Sequence, residues 1–128
     1  MKPKFTKLEY TYKKEESDVW VLNTEDIPLN MSQVHDQQTV HLAPGSAGGN
    51  HKHPRTEWFI AIGDLEIVWL DHEGKRNSRP MNPEGEIWLI EVPPFLPHAV
   101  RNTSQTQRAV LFEYADSKMT DVERITIV

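Results

Sequence analysis

The stretch "GNHKHPRTEW", Gly49 to Trp58, sets two histidines one residue apart and a glutamate four residues further on. Alternate residues of a strand share a face. His51 and His53 can therefore point the same way, and the even spacing keeps Glu57 on that face if the strand continues, with "PRT" as the place for a bulge. Two imidazoles and one carboxylate make a borderline-hard donor set suited to Zn, Fe, Mn, Ni, Co or Cu. A fourth ligand is expected from elsewhere. His98 is the candidate, because the proline-stiffened "VPPFLP" that precedes it restricts where it can sit. The other histidines read as bystanders: His35 in a polar stretch, His41 as a strand residue, His72 in the turn "DHEGK".

The elements that must carry these groups read as strands. Short apolar segments rich in β-branched and aromatic residues ("TVHLA", "TEWFIAI", "LEIVWL", "EIWLIEV", "RAVLFEY") are separated by turn chemistry ("APGSAGGN", "DHEGKRNS", "MNPEG", "NTSQTQ"). That spacing predicts an all-β sandwich or barrel. No segment sustains helical periodicity, and 9 prolines argue against long helices. Gly63-Asp64 reads as a tight hairpin turn between two apolar strands. Several strands are apolar on both faces, so the outer face needs a cover. Trp58, Trp69 or Trp88, if exposed, would form a patch that needs a partner, and a homodimer is expected. Leu8, Tyr10 and Tyr12 alternate with polar residues, which permits an edge strand; the other reading is a frayed terminus.

Composition narrows the function classes. At 128 residues one domain is expected, spanning 1–128. With no cysteine, disulfides and thiolate metal sites are excluded, which suits a cytoplasmic protein. The net charge of -5 argues against nucleic-acid binding. The charged N-terminus has no apolar h-region, so no secretory signal is expected, and the longest apolar run, "WFIAI", is far short of a membrane span.

Taken together, the two clusters resemble the motifs of the cupin superfamily. The first motif's pattern is met by Gly45, five residues, His51-Lys52-His53, three residues and Glu57. "PPFLPHAVRN" supplies Pro93, His98 and Asn102 at the spacing of the second. The departures are confined to glycines: Asp64 stands at the first motif's closing glycine, and Ile87 and Phe95 stand at two glycine positions of the second. The resemblance implies a cupin-type double-stranded β-helix, a jelly-roll barrel over about residues 19–116, with residues 1–18 as a frayed or dimer-exchanged arm. It implies a divalent transition metal (Zn, Fe, Mn or Ni) held by His51, His53, Glu57 and His98, with Asn102 structural.

Within that superfamily the chain is similar to the small cupins of sugar-nucleotide and capsular-polysaccharide pathways. The expected function is isomerase- or epimerase-like Lewis-acid chemistry on a small polar molecule such as a sugar or sugar-nucleotide derivative. Tyr114, Glu113 and His41 are the strand residues that could carry a proton. An Fe(II)-dependent dioxygenase is the alternative. "PEGEIWLIE" resembles 3-hydroxyanthranilate dioxygenases, which place an arginine four residues after the last histidine, where this chain has Asn102. A non-enzymatic cupin that binds a small ligand is the third reading.

Overall fold

A computed structural model describes all residues from Met1 to Val128. The chain forms twelve strands: β1 (Lys4–Lys7), β2 (Tyr12–Lys14), β3 (Val19–Val21), β4 (Asp36–Leu42), β5 (Ala47–Lys52), β6 (Glu57–Ile62), β7 (Leu65–Leu70), β8 (Arg76–Pro80), β9 (Trp88–Val92), β10 (His98–Asn102), β11 (Ala109–Ala115) and β12 (Glu123–Arg124). Three single 3-10 turns are its only helical pieces, so the all-β expectation holds. No helix is long and apolar enough to cross a membrane.

Two five-stranded antiparallel sheets face each other, in the orders β1-β9-β6-β11-β4 and β12-β5-β10-β7-β8. Alternation along each strand decides what enters the space between them. In β11, Ala109, Leu111, Glu113 and Ala115 are buried while Phe112 is exposed. The interior holds Leu42, Phe59, Ala61, Leu65, Ile67, Met81, Ile90, Val92, Leu96, Val100 and Leu111 in one packed cluster.

The cover for the apolar outer face comes from the chain itself. Leu8 and Ile27, with the half-buried Leu22 and Leu29, pack over Trp58, Ile60, Ile87 and Leu89. Trp58 is only 9% exposed, and Trp69 and Trp88 pack against the core. The expected tryptophan patch is therefore absent. The N-terminal edge strand exists but lies earlier than the sequence pattern placed it. β1 pairs with β9, and Tyr12 belongs to the separate β2–β3 hairpin.

Gly63-Asp64 is not a hairpin. β6 belongs to the first sheet and β7 to the second, so the turn carries the chain across the sandwich. Glycine is required there for two reasons. Its φ is +107°, and a Cβ on it would come 2.8 Å from the Cβ of Ala109. Apolar runs on either side of a short turn look alike whether the strands pair or part, which is why the sequence misplaces this connection.

Candidate metal centre

His51 reaches the interior through an irregularity in β5. Cα partners run Gly49 with Ala99 and His51 with His98, so Asn50 is the extra residue, held at φ +57°. This bulge lies before His51 and not in the Pro54–Thr56 stretch where the sequence suggested one. Gly49 must be glycine, because a Cβ there would lie 3.0 Å from the carbonyl oxygen of His98. His53 falls one residue past the end of β5, and its backbone carbonyl accepts a hydrogen bond from the N–H of Phe95 (2.8 Å). Glu57 opens β6 in the opposite sheet. The even spacing thus predicts the convergence but not its cause. The chain turns at Pro54–Arg55, and the carboxylate meets the imidazoles across the sandwich.

His98 opens β10 and faces His51 in register. The loop before it keeps a glycine-like path even though Phe95 stands at the motif's glycine. Phe95 adopts φ +66° with its ring 56% exposed. Asn102 is structural, as expected. Its buried side-chain amide donates to the carbonyls of Leu42, Ala43 and Gln107, and its Oδ1 accepts from the N–H of Ser104.

One ligand atom from each of His51, His53, Glu57 and His98 can be chosen so that all lie within 4.8 Å of one another. The three imidazole rings stand edge to face, with centroids 4.8, 4.9 and 5.2 Å apart. Oε1 of Glu57 lies 3.1 Å from Nε2 of both His53 and His98. His53, Glu57 and His98 are buried and His51 is half-buried.

The hydrogen bonding of this group is incomplete in a way that a cation would complete. Nδ1 of His98 sits 2.8 Å from the carbonyl oxygen of Leu96, which can only accept, so Nδ1 carries the proton. In the neutral ring Nε2 then presents a lone pair to a carboxylate oxygen. Two acceptors hold such a contact only with a proton or a metal ion between them. An N–H given to a backbone carbonyl is also how metal-ligating histidines are oriented. Neither ring nitrogen of His53 has a hydrogen-bond partner, because its approach to Glu57 lacks hydrogen-bond geometry. Buried polar atoms are rarely left so. The donor set therefore fits a divalent transition metal.

Behind the carboxylate stands Arg55, which composition and spacing alone do not single out. Its guanidinium is 1% exposed. Nε and Nη2 both donate to Oε2 of Glu57 (2.9 and 2.6 Å), Nη2 also to Glu113 (2.9 Å), and Nη1 to Asp36 (2.8 Å) and the carbonyl of Ser117 (3.0 Å). Burial would raise the Glu57 pKa, but its close contacts with the His53 and His98 imidazoles outweigh it and hold the group well below the usual carboxylate range. Glu113 moves the other way. Burial and the adjacent Glu57 push it up to about 9, against the opposing pull of Arg55. Burial, with His98 and His53 adding to it, drives His51 down to about 4.

His51, Glu57 and His98 line one side of a cavity of about 190 Å³ between the sheets. Val40, Leu42, Phe59, Val100 and Leu111 form its apolar walls, and Gln38, Gly48, Gly49, Glu113 and Met119 complete the lining. Of the three strand residues that could carry a proton, only Glu113 faces this space. His41 and Tyr114 have the opposite parity on β4 and β11 and point out. His35 and His72 are exposed.

Neither the family models nor the curated proteins contain a match to the chain. Solved structures do match. A dTDP sugar isomerase from Desulfovibrio desulfuricans G20 superposes with a TM-score of 0.77 at 16% identity, covering 98% of this chain and 84% of that one. A 3,4-ketoisomerase from Helicobacter canadensis gives 0.69 at 20% identity, with 97% and 91% covered. QdtA, a sugar 3,4-ketoisomerase from Thermoanaerobacterium thermosaccharolyticum in complex with TDP, gives 0.68 at 13% identity, with 95% and 87% covered. All three share the RmlC-like cupin architecture.

The chain has the cupin fold. At these identities the likeness extends to the fold alone. Within it, the cupin motif positions His51, His53, Glu57 and His98 stand together, with His51, Glu57 and His98 on the cavity wall and His53 behind them.

Proposed function

We propose that the chain is a metal-dependent isomerase acting on the carbonyl form of a sugar or sugar-nucleotide derivative. The observation that carries this reading is the convergence of three imidazoles and a carboxylate, of which His51, His98 and Glu57 line a cavity that also receives the Glu113 carboxyl. The fold neighbours, named as sugar isomerases, supply its second support. A divalent ion held by His51, His53, Glu57 and His98 would supply Lewis-acid polarisation of a carbonyl oxygen.

The chain's own residues account for the remaining requirements. Moving a carbonyl along a sugar requires removing a proton from one carbon and returning one to its neighbour. Glu113 is the cavity-facing group suited to hold a proton, since its raised pKa keeps the carboxyl protonated near neutrality in the metal-free site. Val40, Leu42, Phe59, Val100 and Leu111 exclude water around it. A volume of about 190 Å³ holds about six waters at roughly 30 Å³ each, a space the size of one sugar ring. A nucleotide attached to that ring would lie beyond the mouth, where Gln38 of β4 and Gly48 of β5 are exposed. The exposed Tyr12, Val19 and Trp20 of the β2–β3 hairpin support the expected homodimer.

The test is isomerisation in D₂O. Protein loaded in turn with Zn, Mn, Ni or, without oxygen, Fe(II) is incubated with keto-sugars, free and nucleotide-linked, and followed by NMR. A rearranged product carrying deuterium next to its carbonyl is expected. Neither rearrangement nor exchange with any metal across the panel would sink the reading. Turnover that depends on oxygen would favour the dioxygenase instead.

A further inference from the structure

Arg55 does more than neutralise Glu57. Its five N–H groups all have acceptors: two on Oε2 of Glu57, one each on Glu113, Asp36 and the Ser117 carbonyl. A guanidinium so held cannot turn without breaking several charge-assisted bonds. Oε2 is therefore occupied, and Oε1 alone faces the imidazoles, 3.1 Å from Nε2 of His53 and of His98. The residue is buried, so water offers Oε2 no replacement partner.

We infer that Arg55 is a positioning residue that restricts Glu57 to ligation through one oxygen. The inference rests on the metal reading proposed above. Three imidazoles and one oxygen make four protein ligands, and a first-row dication that accepts five or six then retains places for oxygens of a substrate. A carboxylate free to chelate through both oxygens would take one of those places. Lysine cannot substitute fully. Its ammonium is a single point of charge and cannot give Oε2 two N–H bonds while also holding Glu113, Asp36 and the Ser117 carbonyl.

Two measurements test this on metal alone, without substrate. In the Co(II)-loaded protein, visible absorption weakens as coordination number rises. With four protein ligands and at most one water, the wild type should show the stronger bands of four- or five-coordination, Arg55→Met should lose intensity severalfold as Glu57 closes on the ion, and Arg55→Lys should fall between. An Arg55→Met spectrum indistinguishable from wild type overturns the inference. X-ray absorption of the Zn-loaded wild type decides the matter even if Arg55→Met does not fold: one-oxygen carboxylate ligation is expected, and two-oxygen ligation overturns it. Two-oxygen ligation would leave the metal reading intact. A wild type that takes up neither ion overturns both.

Discussion

Phe95 holds a backbone conformation that favours glycine. Its φ of +66° lies in the left-handed region, and its ring, 56% exposed, gains little from packing. The conformation persists because the surroundings impose it. The N–H of Phe95 donates to His53, the N–H of Leu96 to Pro93, and Leu96 is buried in the core. Left-handed geometry costs an L-residue roughly 1–2 kcal/mol. Glycine escapes that cost but loses about 0.5–1 kcal/mol through the greater freedom of its unfolded chain. Phe95→Gly should therefore stabilise the protein by up to about 1.5 kcal/mol, read from the urea midpoint at constant slope. A clear loss of stability would mean the ring contributes packing that its exposure does not suggest. At this scale the sequence is only partly legible. The motif spacing located Phe95 and marked it as a departure, but a single letter does not disclose that the loop keeps its path and strains the residue instead.

At the scale of elements, the site is assembled from both sheets and not along one strand. Period-two reasoning placed His51, His53 and Glu57 on a common face, and they do converge. Yet β5 ends at Lys52, and Glu57 enters from the other sheet. Spacing records which residues can meet, while the sheet each strand joins depends on pairings between segments distant in sequence. The same blindness turned Gly63-Asp64 into a hairpin. Resemblance to the cupin motifs supplied what periodicity could not, because the motif carries the turn with it. Arg55 lay between the marked residues unread, since its role depends on Asp36, Glu113 and Ser117 arriving from elsewhere.

Asn50 is the element-scale hinge of this arrangement. It forms the bulge that precedes His51, and its Oδ1 accepts the N–H groups of Ile127 and Val128, both at 2.9 Å. Its carbonyl accepts the N–H of Ile125. The bulge and the C-terminal segment that follows β12 thus share one side chain, with Ile127 buried against Val68 and Ala99. Asn50→Ala forfeits two hydrogen bonds at about 1 kcal/mol each and places alanine at positive φ for about 1 more, so a loss of about 3 kcal/mol is expected in urea unfolding. Asn50→Asp retains the acceptor and should stay within about 1 kcal/mol of wild type. Equal losses in the two variants would show that the acceptor is not what matters.

For the whole molecule, the two shifted groups on the cavity wall pull stability in opposite directions with pH. His51 has a folded pKa of about 4 against an ordinary 6.5. Folding prefers its neutral form, so this stability is complete above pH 6.5 and is lost as pH falls through about 4. Glu113 has a folded pKa of about 9 against 4.5, so its contribution is complete below pH 4.5 and is lost as pH rises through about 9. Each arm involves at most one proton, so the two share the same limiting slope, and the alkaline arm spans the wider pH range. A bound dication reverses that arm, because it favours ionised Glu113 and neutral imidazoles together. The Tm of metal-free protein should therefore decline from pH 6 to 9, while the gain in Tm on adding Zn at fixed free concentration should widen over the same range. Glu113→Gln should flatten the metal-free decline, and His51→Gln should remove most of the gain from Zn. A Zn effect that is the same at pH 6 and pH 9 in wild type and Glu113→Gln alike would show that the ion does not feel the Glu113 carboxylate, and so does not sit where the three imidazoles meet Glu57.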